Sequence, residues 1–151
     1  MEIDTQRVIE LVKSVRPLFM DHERASRITV KGAADFVTQV DFQVQERMRS
    51  GLFDMYPQVQ FMGEEKDNRD IDFSGAVWIL DPVDGTTNLI HDYRMSAVSL
   101  GLYENGQMTF GVVYNPFTEE TFHASLGKGA FLNGEPIHVS HREALDTCII
   151  A

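Results

Sequence analysis

Cysteine is nearly absent: the 151 residues contain only Cys148, so no internal disulfide can form and a reducing compartment is compatible with the chain. Its surroundings, Cys148-Ile149-Ile150-Ala151, are apolar and hold no activating neighbour, which argues against a thiol nucleophile. Basic residues are scarce as well, 13 Lys and Arg against 23 Asp and Glu, for a formal net charge of −10. That sign disfavours a phosphate backbone, so no nucleic acid is expected as a partner. No apolar run approaches the ~20 residues of a membrane span. The opening Met1-Glu2-Ile3-Asp4-Thr5 lacks the basic and apolar regions of an export signal. The chain is therefore expected to be cytoplasmic, with no membrane partner. Internal repeats and low-complexity tracts are missing too, which sets aside solenoids and flexible linkers. The five histidines show no metal-ligand spacing.

What the chain does have is core material: 43% of it is hydrophobic, with ten Phe, enough for one folded domain. Residues 3 to 23 carry Val8, Leu11, Val12, Val15, Leu18 and Phe19 on one helical stripe, which Pro17 should kink or split. Ser26 to Ala34 reads as a short polar connection and Asp35 to Thr38 as a brief extended piece. Thr38-Gln39-Val40-Asp41 has the form of a capping box, opening a second helix whose apolar face runs through Val44, Met48, Leu52 and Met55 to Pro57. Val59 to Met62 is strand-like and delivers Gly63-Glu64-Glu65. The charged stretch Lys66 to Gly75 reads as a mobile surface loop. Beyond Ala97 the hydrophobic period becomes two. Ala97 to Tyr103 and Met108 to Tyr114 flank Asn105-Gly106, a strong hairpin signal. Further short strands are expected at Thr121 to Ser125, Ala130 to Leu132 and Ile137 to Val139. Helices followed by antiparallel strands predict an α+β fold, two N-terminal helices packed on a mainly antiparallel sheet.

One stretch stands out, Trp78 to Asn88, read as W-I-L-D-P-V-D-G-T-T-N. Ala76 to Leu80 suits a buried strand, which Pro82 should end for lack of an N–H. Asp81 then closes the strand and Asp84 follows one tight turn later. Gly85 allows a backbone geometry that a Cβ resists. Thr86 and Thr87 stand at a helix start, where outward N–H groups favour an anion. Carboxylates beside free amides suit a divalent cation bridged to phosphate. An Asp-Gly turn by itself is commonly only a turn; the full string is far more specific.

That string resembles the signature of the inositol monophosphatase family. The motifs D-F-V-T-x-x-D at Asp35 to Asp41 and G-E-E at Gly63 to Glu65 precede it in the family's order, and G-V-V-Y-N-P and G-K-G-A-F-L-N-G follow at Gly111 and Gly127. The likeness covers the family's N-terminal half. It implies that residues 1–151 form an N-terminal metal- and phosphate-binding α+β domain of the inositol monophosphatase / fructose-1,6-bisphosphatase-like fold. It also implies Mg²⁺-dependent hydrolysis of a phosphate monoester, most plainly an inositol monophosphate, with two to three Mg²⁺ ions. By the same resemblance Glu64, Asp81 and the Val83 carbonyl hold the first ion, Asp81 and Asp84 the second, and Glu64 a looser third. Thr86 would help activate a water, with Asp35 accepting the Thr hydroxyl's hydrogen bond. Val83, Asp84, Gly85 and Thr86 would line the phosphate subsite, with Gly85 and Thr86 giving their N–H groups. A homodimer and lithium sensitivity are further implications.

The family's W-D-x-A-A/G motif, whose Asp completes the second metal site, does not occur in these 151 residues. The run Cys148 to Ala151 reads as the start of a strand, so a fragment is expected. Three alternatives stay open at this point. One is a phosphatase of the same superfamily acting on fructose bisphosphate or a 3′-phosphonucleotide. Another is a haloacid-dehalogenase-like enzyme, although Asp81 and Asp84 stand three apart rather than two. The last is a non-catalytic, metal-stabilised interaction module.

Overall fold

In a computed structural model, residues 1–32, 35–141 and 144 are described, without the side chains of Val30, Lys31 and Asp35. The N-terminal stripe is split, as expected at Pro17, and forms α1 (Thr5–Lys13), α2 (Arg16–Phe19) and α3 (His22–Ala25). Pro17 sits in the first turn of α2, where its missing N–H leaves no helical bond unmade. Asp4 and Asp21 cap α1 and α3 by accepting the N–H groups of Arg7 and Arg24.

The polar connection expected after α3 is instead a strand, β1 (Ile28–Gly32), paired antiparallel with β2 (Asp35–Thr38) in a two-stranded sheet. The signal was there in the β-branched triplet Ile28-Thr29-Val30. Next, α4 (Gln39–Met55) opens on a complete capping box and buries Val40, Val44, Met48 and Leu52 along one face.

The main sheet has seven strands in sequence order: β3 (Gln60–Gly63), β4 (Val77–Asp84), β5 (Ala97–Glu104), β6 (Gln107–Asn115), β7 (Glu120–Ser125), β8 (Gly129–Leu132) and β9 (Glu135–Ile137). Only β3 and β4 run parallel; the rest is an antiparallel meander. Asn105 and Gly106 turn the β5–β6 hairpin with φ of 53° and 84°, the left-handed pair that such a turn requires. The last strand begins two residues earlier than expected.

Period two divides the sheet into two faces. One carries Trp78, Leu80, Leu100, Leu102, Val112 and Tyr114, which form a single core with Val8, Val12, Val15 and Phe19 of the N-terminal segment and the buried residues of α4. The other face carries Ile79, Gly101, Gly111, Val113 and Ala124 and is an open groove of about 450 Å³. The Lys66 to Gly75 loop is on the surface but tied down: Asn68 donates to the Gly63 carbonyl, and the Gln60 amide exchanges two hydrogen bonds with the Asp72 backbone. Among the described residues, no helix is long and apolar enough to cross a membrane. Cys148 and the apolar run that follows it lie outside the described residues.

Candidate active site

The end of β4 is not built as expected. Pro82 does not stop the strand, which continues to Asp84 through a register shift: Asp81 pairs with Ser99, and Asp84 with Ala97. Two residues on β4, Pro82 and Val83, thus face one on β5, Val98, a one-residue bulge. On the β3 side pairing ends at Gly63 and Leu80, so Pro82 lies on an edge, where a missing N–H is tolerated. The bulge has a direct chemical consequence. In a regular strand, residues three apart point to opposite faces, and the extra residue restores the parity. Asp81 and Asp84 therefore share a face.

Glu64 is brought to that face by parallel pairing. Its N–H donates to the Leu80 carbonyl at 3.2 Å, which sets it beside Asp81. The Asp81 carboxyl is half-buried, and its pKa is pushed from 3.8 to about 7. Burial is the main cause, followed by the Glu64 charge and a hydrogen bond with the Glu64 side chain, then the Asp84 charge; the Val83 N–H opposes the shift by donating to Asp81 at 3.1 Å. Glu64 and Asp81 are thus in contact, whereas Asp84, exposed at the rim, reaches Asp81 only through its charge. No three His, Cys, Asp or Glu side chains among the described residues form a group that could hold a metal ion as they stand.

Gly85 has φ +85° and serves as N-cap of α5 (Thr86–Ile90). A Cβ there would lie 3.0 Å from the Met95 carbonyl oxygen, so a side chain is excluded by space as well as by backbone conformation. With no capping side chain, nothing of its own covers the amides of the first turn. The following segment is strapped to this corner, as Ser96 donates to the Gly85 carbonyl and Asn88 to that of Met95.

Thr86 has partners that were not expected. Its hydroxyl oxygen is 3.1 Å from Asp41 Oδ1 and 3.0 Å from the Val83 carbonyl, and its single proton serves one of them at a time. Asp41 is therefore a carboxylate that reaches Thr86, and it was not among the residues expected at the site. Asp35 begins β2, and its side chain lies outside the described residues. Asp41 escaped notice because the capping box already explained it. The box occupies only Oδ2, which accepts from the Thr38 N–H at 2.8 Å and from its hydroxyl at 2.6 Å, leaving Oδ1 for Thr86. A hint was present: that position of a capping box is normally Glu or Gln, and a shorter Asp is unusual.

Of the expected residues, Glu64 meets Asp81 with the Asp84 charge nearby, and Thr86 gains Asp41 as a partner. Comparison with known proteins bears on the family. The sequence profile of the Inositol monophosphatase family matches residues 1–151. An inositol monophosphatase of Dictyostelium discoideum is 37% identical over 150 residues, covering 97% of this chain and 55% of that protein. The solved structure of a Thermotoga maritima IMPase superposes with a TM-score of 0.82 at 35% identity, over 93% of this chain and 55% of the other. An IMPase/NADP phosphatase solved with NADP and Ca²⁺ gives a TM-score of 0.81 at 26% identity, over 93% of this chain and 54% of the other. The chain spans about half the length of these relatives. A family profile matched from residue 1 to residue 151, on a fold shared with solved members, leaves one assignment: the chain belongs to the inositol monophosphatase family.

Proposed function

We propose that residues 1–151 are the metal- and phosphate-binding domain of a divalent-metal-dependent phosphate monoesterase, with an inositol monophosphate as substrate. The observation that carries this reading is the contact between Glu64 and Asp81 with Asp84 on the same face, an anionic cluster in which burial first, and then the neighbouring carboxylates, raise the Asp81 pKa to about 7. Such a cluster suits a cation. Its donors, Glu64, Asp81, Asp84 and the Val83 carbonyl, are all hard oxygens, which fits Mg²⁺ and disfavours soft metals. Asp81, which meets Glu64 and feels the Asp84 charge, would be the carboxylate common to the ions held here, with Glu64 and Asp84 as its partners. Bound there, such ions supply Lewis-acid stabilisation of phosphoryl charge and acidify water.

The chain's own residues have separable tasks. While the Thr86 proton is directed to Asp41 or the Val83 carbonyl, its oxygen is left to accept a hydrogen bond from a water at the site. The Gly85 and Thr86 amides would hold phosphoryl oxygens at the mouth of α5, as oriented N–H groups do for anions. Since the net charge of −10 repels phosphate, the cations and these amides must offset that field locally.

The test is Mg²⁺-dependent phosphate release from myo-inositol 1-phosphate by this chain and by a C-terminally extended one. Release by the extended chain, lost in Asp81→Ala and inhibited by Li⁺, is the expected result. An extended chain that releases no phosphate in Mg²⁺ overturns the reading. Because the chain covers about half of its relatives, a second reading is a metal-stabilised domain that needs the remaining length for turnover. It is supported if this chain binds Mg²⁺ and only the extended one is active.

A further inference from the structure

Asp41 is not the only polar residue that α4 buries. Gln45 follows it by one helical turn, on the same face, and is 9% exposed. Its side-chain amide makes two hydrogen bonds to a single residue: Oε1 accepts the Glu65 N–H at 2.9 Å and Nε2 donates to the Glu65 carbonyl at 3.1 Å. The side chain thus imitates a neighbouring strand exactly one residue long, just where β3 has run out of partners.

The surroundings show how closely this clip is fitted. A Cβ on Gly63 would lie 2.3 Å from Gln45 Oε1, closer than non-bonded atoms approach, so Gly63 is required by the clip and not by its own backbone angle. Asn68 donates to the Gly63 carbonyl at 2.7 Å, and the Glu64 N–H donates to Leu80 at 3.2 Å. Glu64 is therefore pinned on both sides, by β4 at its own amide and by Gln45 at the next residue. What is left with freedom is its side chain, which meets Asp81.

We infer that Gln45 is a positioning residue: by clamping the Glu65 peptide it fixes where the Glu64 carboxylate stands relative to Asp81, and so sets the affinity of the site for a divalent cation. The assignment rests on the metal-site reading above. It gives α4 two jobs along one face, Asp41 orienting Thr86 and, one turn on, Gln45 orienting Glu64. A single rigid helix then holds both arms of the site in register.

The experiment is Mn²⁺ binding to the 151-residue chain, followed by loss of the free-ion EPR signal, with metal-free thermal unfolding measured in parallel. Removing a group that orients a metal ligand typically weakens binding by about 10- to 100-fold, and Gln45→Ala should do so. Gly63→Ala should cause a similar loss by pushing Gln45 away. Since both act through one clip, the double variant should bind about as well as either single one rather than losing the product of the two. Gln45→Ala that unfolds at lower temperature but binds Mn²⁺ like the wild type would show a purely structural role and overturn the assignment. Losses that multiply in the double variant would also overturn it, because the two residues would then act separately. Asp81→Asn separates the two levels of the argument. If it abolishes binding while Gln45→Ala does not affect it, the clip fails and the metal site stands. If wild-type binding is absent or indifferent to Asp81→Asn, the metal site fails and the role of Gln45 with it.

Discussion

On one face of the seven-stranded sheet Trp78, Leu80, Leu100, Leu102 and Val112 are at most 2% exposed beneath the helices, while on the other face Met108, Val113 and Phe122 of the same meander are at least 40% exposed. The open face keeps apolar side chains such as Ile79, Val113 and Phe122 among smaller and polar ones, and these stay accessible because, among the described residues, no helix lies over them. The candidate site sits where that distinction breaks down. Asp81 belongs to the open face and lines its groove, whereas Asp41 comes from α4 on the covered face and reaches Thr86 around the end of β4. The bulge at Pro82 is the hinge of this arrangement, because it turns the chain so that groups from both sides meet. The covered face supplies rigidity, and the open face supplies access.

The sharpest way to break this comparison is to truncate matched large side chains on the two faces. Trp78→Ala should cost about 3–5 kcal/mol in urea unfolding, as expected for a fully buried aromatic. Phe122→Ala, on the open face, should stay within about 1 kcal/mol. Equal losses would mean that the open face is packed in solution. Asp41→Ala probes the junction between the faces. It removes an acceptor for the Thr38 N–H, the Thr38 hydroxyl and the Thr86 hydroxyl, and should cost about 2–3 kcal/mol, since charged groups make the stronger hydrogen bonds. Asp35→Ala should leave Mg²⁺-dependent turnover of an extended chain much less affected than Asp41→Asn does; the reverse would support the role that the resemblance gives Asp35. Thr38→Ala removes only the cap of α4 and should cost about 1 kcal/mol.

The smallest effect expected is one of pH. Asp81 titrates near 7 in the fold against 3.8 ordinarily, so its protonated form is the one the metal-free fold favours. The sign follows: this contribution to stability is complete below the ordinary value and is lost as pH rises through about 7. Half-exposure keeps it modest, because solvent screens the pair. Metal-free chain should therefore melt at a slightly lower temperature at pH 8 than at pH 6. Asp81→Asn should flatten that difference, and Mg²⁺ should reverse it by replacing the shared proton. A melting temperature that rises from pH 6 to pH 8 in metal-free wild type would contradict the contact between Glu64 and Asp81.

Much of this architecture follows from short-range rules. The α4 capping box, the Asn105-Gly106 hairpin, the left-handed Gly85 and the start of α5 each depend on a few adjacent residues whose backbone preferences are strong. The β1 strand went unread because polar flanks hid three β-branched residues. Pro82 was misread because strand-ending is its rule for central strands, and only the sheet order shows that it lies on an edge.

The amino-acid order, through its resemblance to the family, led to Glu64, Asp81, Asp84, Gly85 and Thr86 being expected together, since short motifs are local properties that survive without coordinates. It could not say that Asp81 and Asp84 share a face, because that depends on one extra residue measured against β5. Nor could it reveal that Asp41 turns its second oxygen to Thr86, or that Gln45 closes on Glu65. Those pairings join residues 45 and 20 positions apart, and hydrogen bonds act over about 3 Å of space, so packing of α4 on β3 and β4 had to bring the partners within reach.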